Sequence, residues 1–136
     1  MSNIAGLIGR MTFNDCDQAL KYFTLDAPID GLDNVLNSVK YVLASGHPVA
    51  FGFSVFESIK KAQENGKIPF PTKSDKVLGG HAIMAVGYDD KKKSLLIRNS
   101  WGAEWGEAGY GWLPYAYVET GLALDFWALI EAETGK

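Results

Sequence analysis

Residues 79–102 read GGHAIMAVGYDDKKKSLLIRNSWG, and this stretch decides the fold. Ala82 to Tyr88 is an apolar, β-rich run. Asp89-Asp90-Lys91-Lys92-Lys93 supplies turn residues, and Ser94 to Arg98 returns as a second apolar run. The pattern predicts an antiparallel hairpin whose open end carries His81 on one strand and Asn99 on the other, 18 residues apart. An imidazole beside an amide has a chemical use. The amide oxygen accepts from one ring nitrogen and fixes the tautomer, which leaves the other nitrogen to face a nucleophile.

Outward from the hairpin, Leu32, Val35, Leu36, Val39, Val42 and Leu43 recur at helical spacing and predict a helix from about Leu32 to Ala44. Asp30 is the expected N-cap, and Gly46 occupies the position that favours a left-handed residue. Val49 to Phe56 reads as a strand after Pro48. Residues 57–78, broken by Gly66, Pro69 and Pro71, read as a long surface excursion. Asn99 to Gly109 is a Gly/Trp-rich loop, followed by strands at Tyr110 to Leu113 and Ala123 to Ile130. One helix followed by antiparallel strands is an α+β pattern. Residues 1–30 have no clean period and read as an irregular leader or N-terminal extension, with residues 31–136 as the folded domain.

The chain has 136 residues, of which 47% are hydrophobic and 21% charged, values that suit one soluble domain and not a disordered chain. Thirteen basic against sixteen acidic residues give a net charge of −3, which argues against a nucleic-acid partner. Apolar stretches end well short of a membrane span, and the start, Met1-Ser2-Asn3-Ile4-Ala5-Gly6-Leu7, lacks the basic and apolar regions of a signal peptide. Cys16 is the only cysteine, so no internal disulfide forms; a reducing, cytoplasmic location is the expectation. No metal or cofactor is expected, because no nucleotide loop, HExxH or CxxC pattern occurs.

The blocks Gly80-His81-Ala82-Ile83-Met84-Ala85-Val86-Gly87-Tyr88, Ile97-Arg98-Asn99-Ser100-Trp101-Gly102, Trp105-Gly106 and Gly109-Tyr110-Gly111 together resemble the second half of a papain-type cysteine peptidase. The preceding helix, Pro48 to Phe53 and the loop from Gly66 to Pro71 are similar to bacterial members, and the resemblance covers about Leu32 to Ile130. It implies the C-terminal, antiparallel β-barrel-like half of the papain-like fold with one packed helix. By position, His81 resembles the general base and Asn99 its orienting partner. Trp101, beside Ser100, resembles the indole that shields their hydrogen bond. Trp105 resembles the aromatic wall on the leaving-group side, while Gly79, Gly80 and Ala82, with Gly52 adding to them, resemble a roomy pocket for the substrate's second side chain.

The family's nucleophile belongs to a Cys-Gly-Ser-Cys-Trp-like motif preceded by a glutamine, and this sequence contains neither. Cys16 lies in Asn14-Asp15-Cys16-Asp17-Gln18, only 65 residues before His81, and its acidic neighbours raise a thiol pKa. The resemblance therefore implies a peptidase domain that carries the His/Asn part of a Cys-His-Asn site. Its partners would be a polypeptide substrate or a complementary peptidase half. The alternative is a non-catalytic pseudo-peptidase that binds peptide or protein through the orphaned cleft wall; acyl transfer on the same scaffold needs the same thiol. Trp112 reads as a core aromatic, His47 as a solvated loop residue, Lys91 to Lys93 as an exposed hairpin tip, and Asp89 and Asp90 as turn formers.

Overall fold

The computed structural model describes residues 20–25 and 34–131. Six antiparallel strands form one sheet: β1 (Leu20–Thr24), β2 (Val49–Phe56), β3 (Val77–Asp89), β4 (Ser94–Arg98), β5 (Tyr110–Pro114) and β6 (Ala123–Glu131). Their spatial order is β1-β6-β2-β3-β4-β5. Helix α1 (Val35–Ala44) packs on β3, a 3-10 turn (Glu57–Ala62) follows β2, and a short helix α2 (Tyr115–Glu119) precedes β6. This is the expected α+β arrangement, with one correction. The sheet does not close into a barrel, because β1 and β5 stand at its opposite edges. The outer edge of β5 is covered instead by the 57–78 excursion: Trp112 N–H donates to Gly66 O at 2.7 Å and Ile68 N–H to Trp112 O at 3.0 Å.

Helix α1 exists because its apolar positions fall on one face, and Leu36, Val39, Val42 and Leu43 are all buried. Asn34 caps it: its backbone is extended and its Oδ1 accepts from Asn37 N–H at 2.8 Å. The proposed cap Asp30 lies outside the described residues, as does Leu32. At the other end Gly46, with φ of 91°, and His47 donate backbone N–H groups to Leu43 O and Val42 O. His47 lies in the loop that follows the helix and is half-buried there.

Two further expectations change. Strand β3 begins at Val77, not Ala82, because β2 pairs with it from Phe56↔Val77 to Val49↔Ala85. His81 therefore lies inside the strand, opposite Phe53. Within the stretch read as an irregular leader, Leu20–Thr24 pairs with β6 as an edge strand. Trp112 is only half-buried, on an edge strand, with the Lys92 ammonium 4.7 Å from its ring centroid.

The core is built from Val39, Val49, Phe51, Leu95, Ile97 and Leu113, each fully buried, and each contributes about 1.5–3 kcal/mol by leaving water. Tyr117 is buried among them and its hydroxyl donates to Pro69 O at 2.7 Å, which ties the excursion down. Asp90 forms part of the β3–β4 turn and also accepts from Lys40 Nζ at 2.8 Å and Tyr115 Oη at 2.7 Å, linking α1 and α2 to that hairpin.

Gly111 on β5 makes a very close contact near the site. A Cβ there would sit 2.6 Å from Trp105 Cη2 and 2.8 Å from Gly66 O. Neither a packed indole nor a backbone carbonyl yields cheaply. Gly111→Ala should therefore lower stability by about 1–3 kcal/mol. A fall in the urea midpoint with an unchanged slope, together with altered tryptophan emission, would confirm it; an unchanged midpoint would contradict the packing described.

Candidate active site

The β2–β3 register sets His81 beside Phe53, and the end of β4 sets Asn99 against it. Asn99 N–H donates to Gly109 O at 2.9 Å, which folds the Gly/Trp loop back on the strand end. His81 Nε2 lies 3.0 Å from Asn99 Oδ1. The same Oδ1 accepts from the Ser100 backbone N–H at 2.8 Å. That second bond fixes the chemistry. A backbone N–H needs an acceptor, so the amide cannot be flipped, and the group facing Nε2 is an oxygen. Nε2 must then carry the proton, and in the neutral ring Nδ1 holds the free lone pair. Ser100 thus acts through its main chain, while its side chain is exposed.

The Trp101 ring stacks on His81 with centroids 4.9 Å apart and planes 26° from parallel. Trp105 meets Trp101 at 90°, 5.7 Å away, and Phe53 approaches His81 edge-on at 6.1 Å. Asn99 is 6% exposed whereas Trp101 is 44% exposed, so the indole forms a lid with one face in solvent. Burial lowers the His81 pKa below the ordinary value of 6.5, and the hydrogen bond to Asn99 opposes that shift.

His81 opens onto a hollow of about 340 Å³ whose walls include Gly79, Gly80, Trp101 and Trp105. Val55, Ile59 and Leu78 complete the apolar lining, and Lys60 and Gln63 bring the polar groups. Ala82 does not join this hollow. It is 5% exposed and borders a second depression with Asn99 and Ser100. The glycines and Trp105 therefore share one space, and Ala82 stands apart from it. Sequence reading missed Val55 on β2 and, within the 57–78 excursion, Ile59, Lys60, Gln63 and Leu78; for the last four the length of the excursion was the available signal, since long loops in compact domains carry function. Cys16 lies outside the described residues. Among the described residues no cluster of His, Cys, Asp and Glu could hold a metal, and no helix is long and apolar enough to cross a membrane.

The profile of the papain family cysteine protease matches residues 12–124. The chain belongs to the papain family. A peptidase C1-like protein of Acanthamoeba polyphaga mimivirus, itself uncharacterized, is 38% identical over 118 residues, covering 84% of this chain and 38% of that protein. Mouse pro-cathepsin H is 41% identical over 82 residues, covering 57% of this chain and 24% of its own. Xylellain, a cysteine protease from Xylella fastidiosa, superposes with a TM-score of 0.66 at 46% identity over 72% of this chain and 37% of its own. The chain thus spans well under half the length of these papain-family relatives. What it aligns with is the C-terminal part of the fold, as the sequence resemblance implied.

The buried imidazole has a defined sign in its pH dependence. With a folded pKa below the unfolded value, the unfolded chain binds the proton more readily. The stability this group contributes is full above pH 6.5 and is lost as pH falls through that value toward the folded pKa. An NMR titration of the His81 Cε1–H signal should give a midpoint below 6.5, and Asn99→Ala should lower it further by removing the bond that favours the charged ring. A midpoint at or above 6.5 in this chain would contradict the burial described.

Proposed function

We propose that this papain-family domain supplies the histidine–asparagine wall of a cysteine-peptidase cleft. One observation carries the reading: the two N–H donors on Asn99 Oδ1 commit His81 Nε2 to donating and leave Nδ1 as the free base. In a completed cleft, Nδ1 takes the thiol proton and the resulting imidazolium stabilises the thiolate beside it. The thiolate attacks the peptide carbonyl carbon, and the C–N bond breaks as Nδ1–H gives its proton to the leaving amine. Water then attacks the thioester carbonyl, His81 accepts the proton, and the thiolate is released with the acid product. Asn99 holds the ring in place through these transfers, and the neutral amide suits an ion pair that it does not disturb. Trp101 covers one ring face and keeps the hydrogen bond in a lower dielectric, where it is stronger.

The thiol belongs to the other half of such a cleft and is not Cys16, whose neighbours Asp15 and Asp17 oppose thiolate formation. The domain's partners are then a polypeptide substrate and a complementary, thiol-bearing segment. A second reading has support in the open hollow beside His81, with exposed Trp101 and Leu78 at its margin. Such a wall holds an extended peptide without cutting it.

Iodoacetamide labelling of Cys16 against pH, followed by intact mass, tests the assignment in the chain as it stands. Labelling should rise at or above the ordinary thiol pKa of about 8.5 and be the same in His81→Ala. Fast labelling below pH 7 that His81→Ala abolishes would make Cys16 the nucleophile and overturn the divided site. In a chain joined to a thiol-bearing half of the family, His81→Ala should lower kcat/KM for a fluorogenic peptide by roughly 10²–10⁴-fold. Peptide binding with no hydrolysis there would favour the second reading.

A further inference from the structure

The hollow beside His81 has an uneven lining. Val55, Ile59, Leu78, Trp101 and Trp105 are apolar, Gln63 is neutral, and among the described residues Lys60 is the only cation or anion bordering it apart from the titratable histidine. Lys60 is exposed, and among the described residues the only ion pair is Lys40 with Asp90. The ammonium therefore stands at the rim of a concave, mostly apolar surface; Glu57 and Asp75 border an adjoining depression with it, but among the described residues no carboxylate lies within ion-pair distance. A charge beside low-dielectric walls acts on a ligand more strongly than the same charge on a convex surface. The apolar walls provide contact area, and one cation and one amide provide direction, the usual division of labour in a ligand site.

The hollow is also placed at the step that releases product. His81 borders it, and in the proposed reaction His81 protonates the leaving amine. Trp105 forms its wall, the residue that the family resemblance puts on the leaving-group side. A substrate residue seated there is the one whose nitrogen receives the proton. We propose that Lys60 makes this domain select a carboxylate on the leaving-group side of the scissile bond, carried by an acidic side chain or by the substrate's own C-terminus. The proposal rests on the peptidase reading for its meaning, but the selectivity belongs to the hollow and is measurable as binding without any thiol.

The probes are three small peptides shaped like released products: Glu-Ala-amide, Gln-Ala with a free C-terminal carboxylate, and Gln-Ala-amide. Each is titrated into the ¹⁵N-labelled chain while the Trp101 and Trp105 indole N–H and His81 Cε1–H signals are followed. At least one carboxylate-bearing peptide should bind about fivefold more tightly than the neutral one, the size of a good exposed ion pair. Which one gains identifies the source of the carboxylate. The advantage should shrink with added salt. It should vanish in Lys60→Gln, while affinity for Gln-Ala-amide and the amide spectrum of the exposed site stay as they were. Equal affinity of all three peptides, an advantage that survives Lys60→Gln, or no shift at these signals with any of them would overturn the proposal. None of these results bears on whether His81 pairs with a thiol, which the alkylation and kinetic experiments decide separately.

Discussion

One oxygen atom organises this domain's chemistry. Asn99 Oδ1 receives a main-chain N–H from Ser100 and a ring N–H from His81, and those two bonds convert a strand end and a loop into a defined imidazole tautomer. The first bond is local, between adjacent residues, but the arrangement carries a cost, because Asn99 Nδ2 is buried with no hydrogen-bond partner among the described residues. It holds because Asn99 is buried, so losing either donor without a water to replace it would leave a desolvated acceptor short of a partner. The same atom explains why an amide is better here than a carboxylate. An acid beside His81 would raise its affinity for the proton and compete with the negative partner that the other nitrogen is free to face.

Everything around that oxygen serves to hold two chain segments still. His81 is fixed by pairing along β2, well inside β3, while Asn99 is fixed by the end of β4 and by Gly109 O. The β3–β4 ladder has an irregularity between Ala85 and Gly87, where Val86 is left exposed. A bulge of this kind turns the strand and re-aims what lies beyond it, here the stretch that carries His81. The long β3 is thus two working segments: one pairs with β4 to make the hairpin, and the other pairs with β2 to present the imidazole.

The hairpin, the helix and the pairing of His81 with Asn99 were legible because each rests on a local signal. Apolar spacing marked α1, the Asp-Asp-Lys-Lys-Lys run marked the turn, and the Asn-Ser-Trp-Gly block marked the site. What escaped depends on contacts between segments distant in the chain. Val77 and Leu78 fall in the excursion, and Gly79-Gly80-His81 reads only as a strand opening because glycines weaken strand propensity, yet β2 supplies the backbone partners that extend the strand back to Val77. Leu20–Thr24 is a strand only because β6 offers an edge. Residues 57–78 were seen to be unusual, but nothing in their composition told that Ile59, Lys60 and Gln63 would face His81. The family resemblance groups Ala82 with Gly79 and Gly80, and burial against the core separates them.

The two sides of the hollow come from different parts of the chain, and main-chain bonds weld them into one body. Gly106 N–H donates to Gln63 O at 2.7 Å, joining the tryptophan loop to the end of the 3-10 turn. Gly66 N–H donates to Ala62 O at 2.7 Å and Trp112 N–H to Gly66 O at 2.7 Å, so the same short segment is also sewn onto β5. Trp105 is pressed against Gly111 across this seam, where no side chain intervenes. The spacing between the Ile59–Gln63 wall and the Trp101–Trp105 wall is therefore set by backbone geometry, the stiffest material in the domain. Side chains at the rim can change what the hollow prefers without altering its width. The Asn99–His81 pair and the exposed Lys60 are thus held by separate parts of the fold, so a change at Lys60 leaves the geometry of the pair as it is.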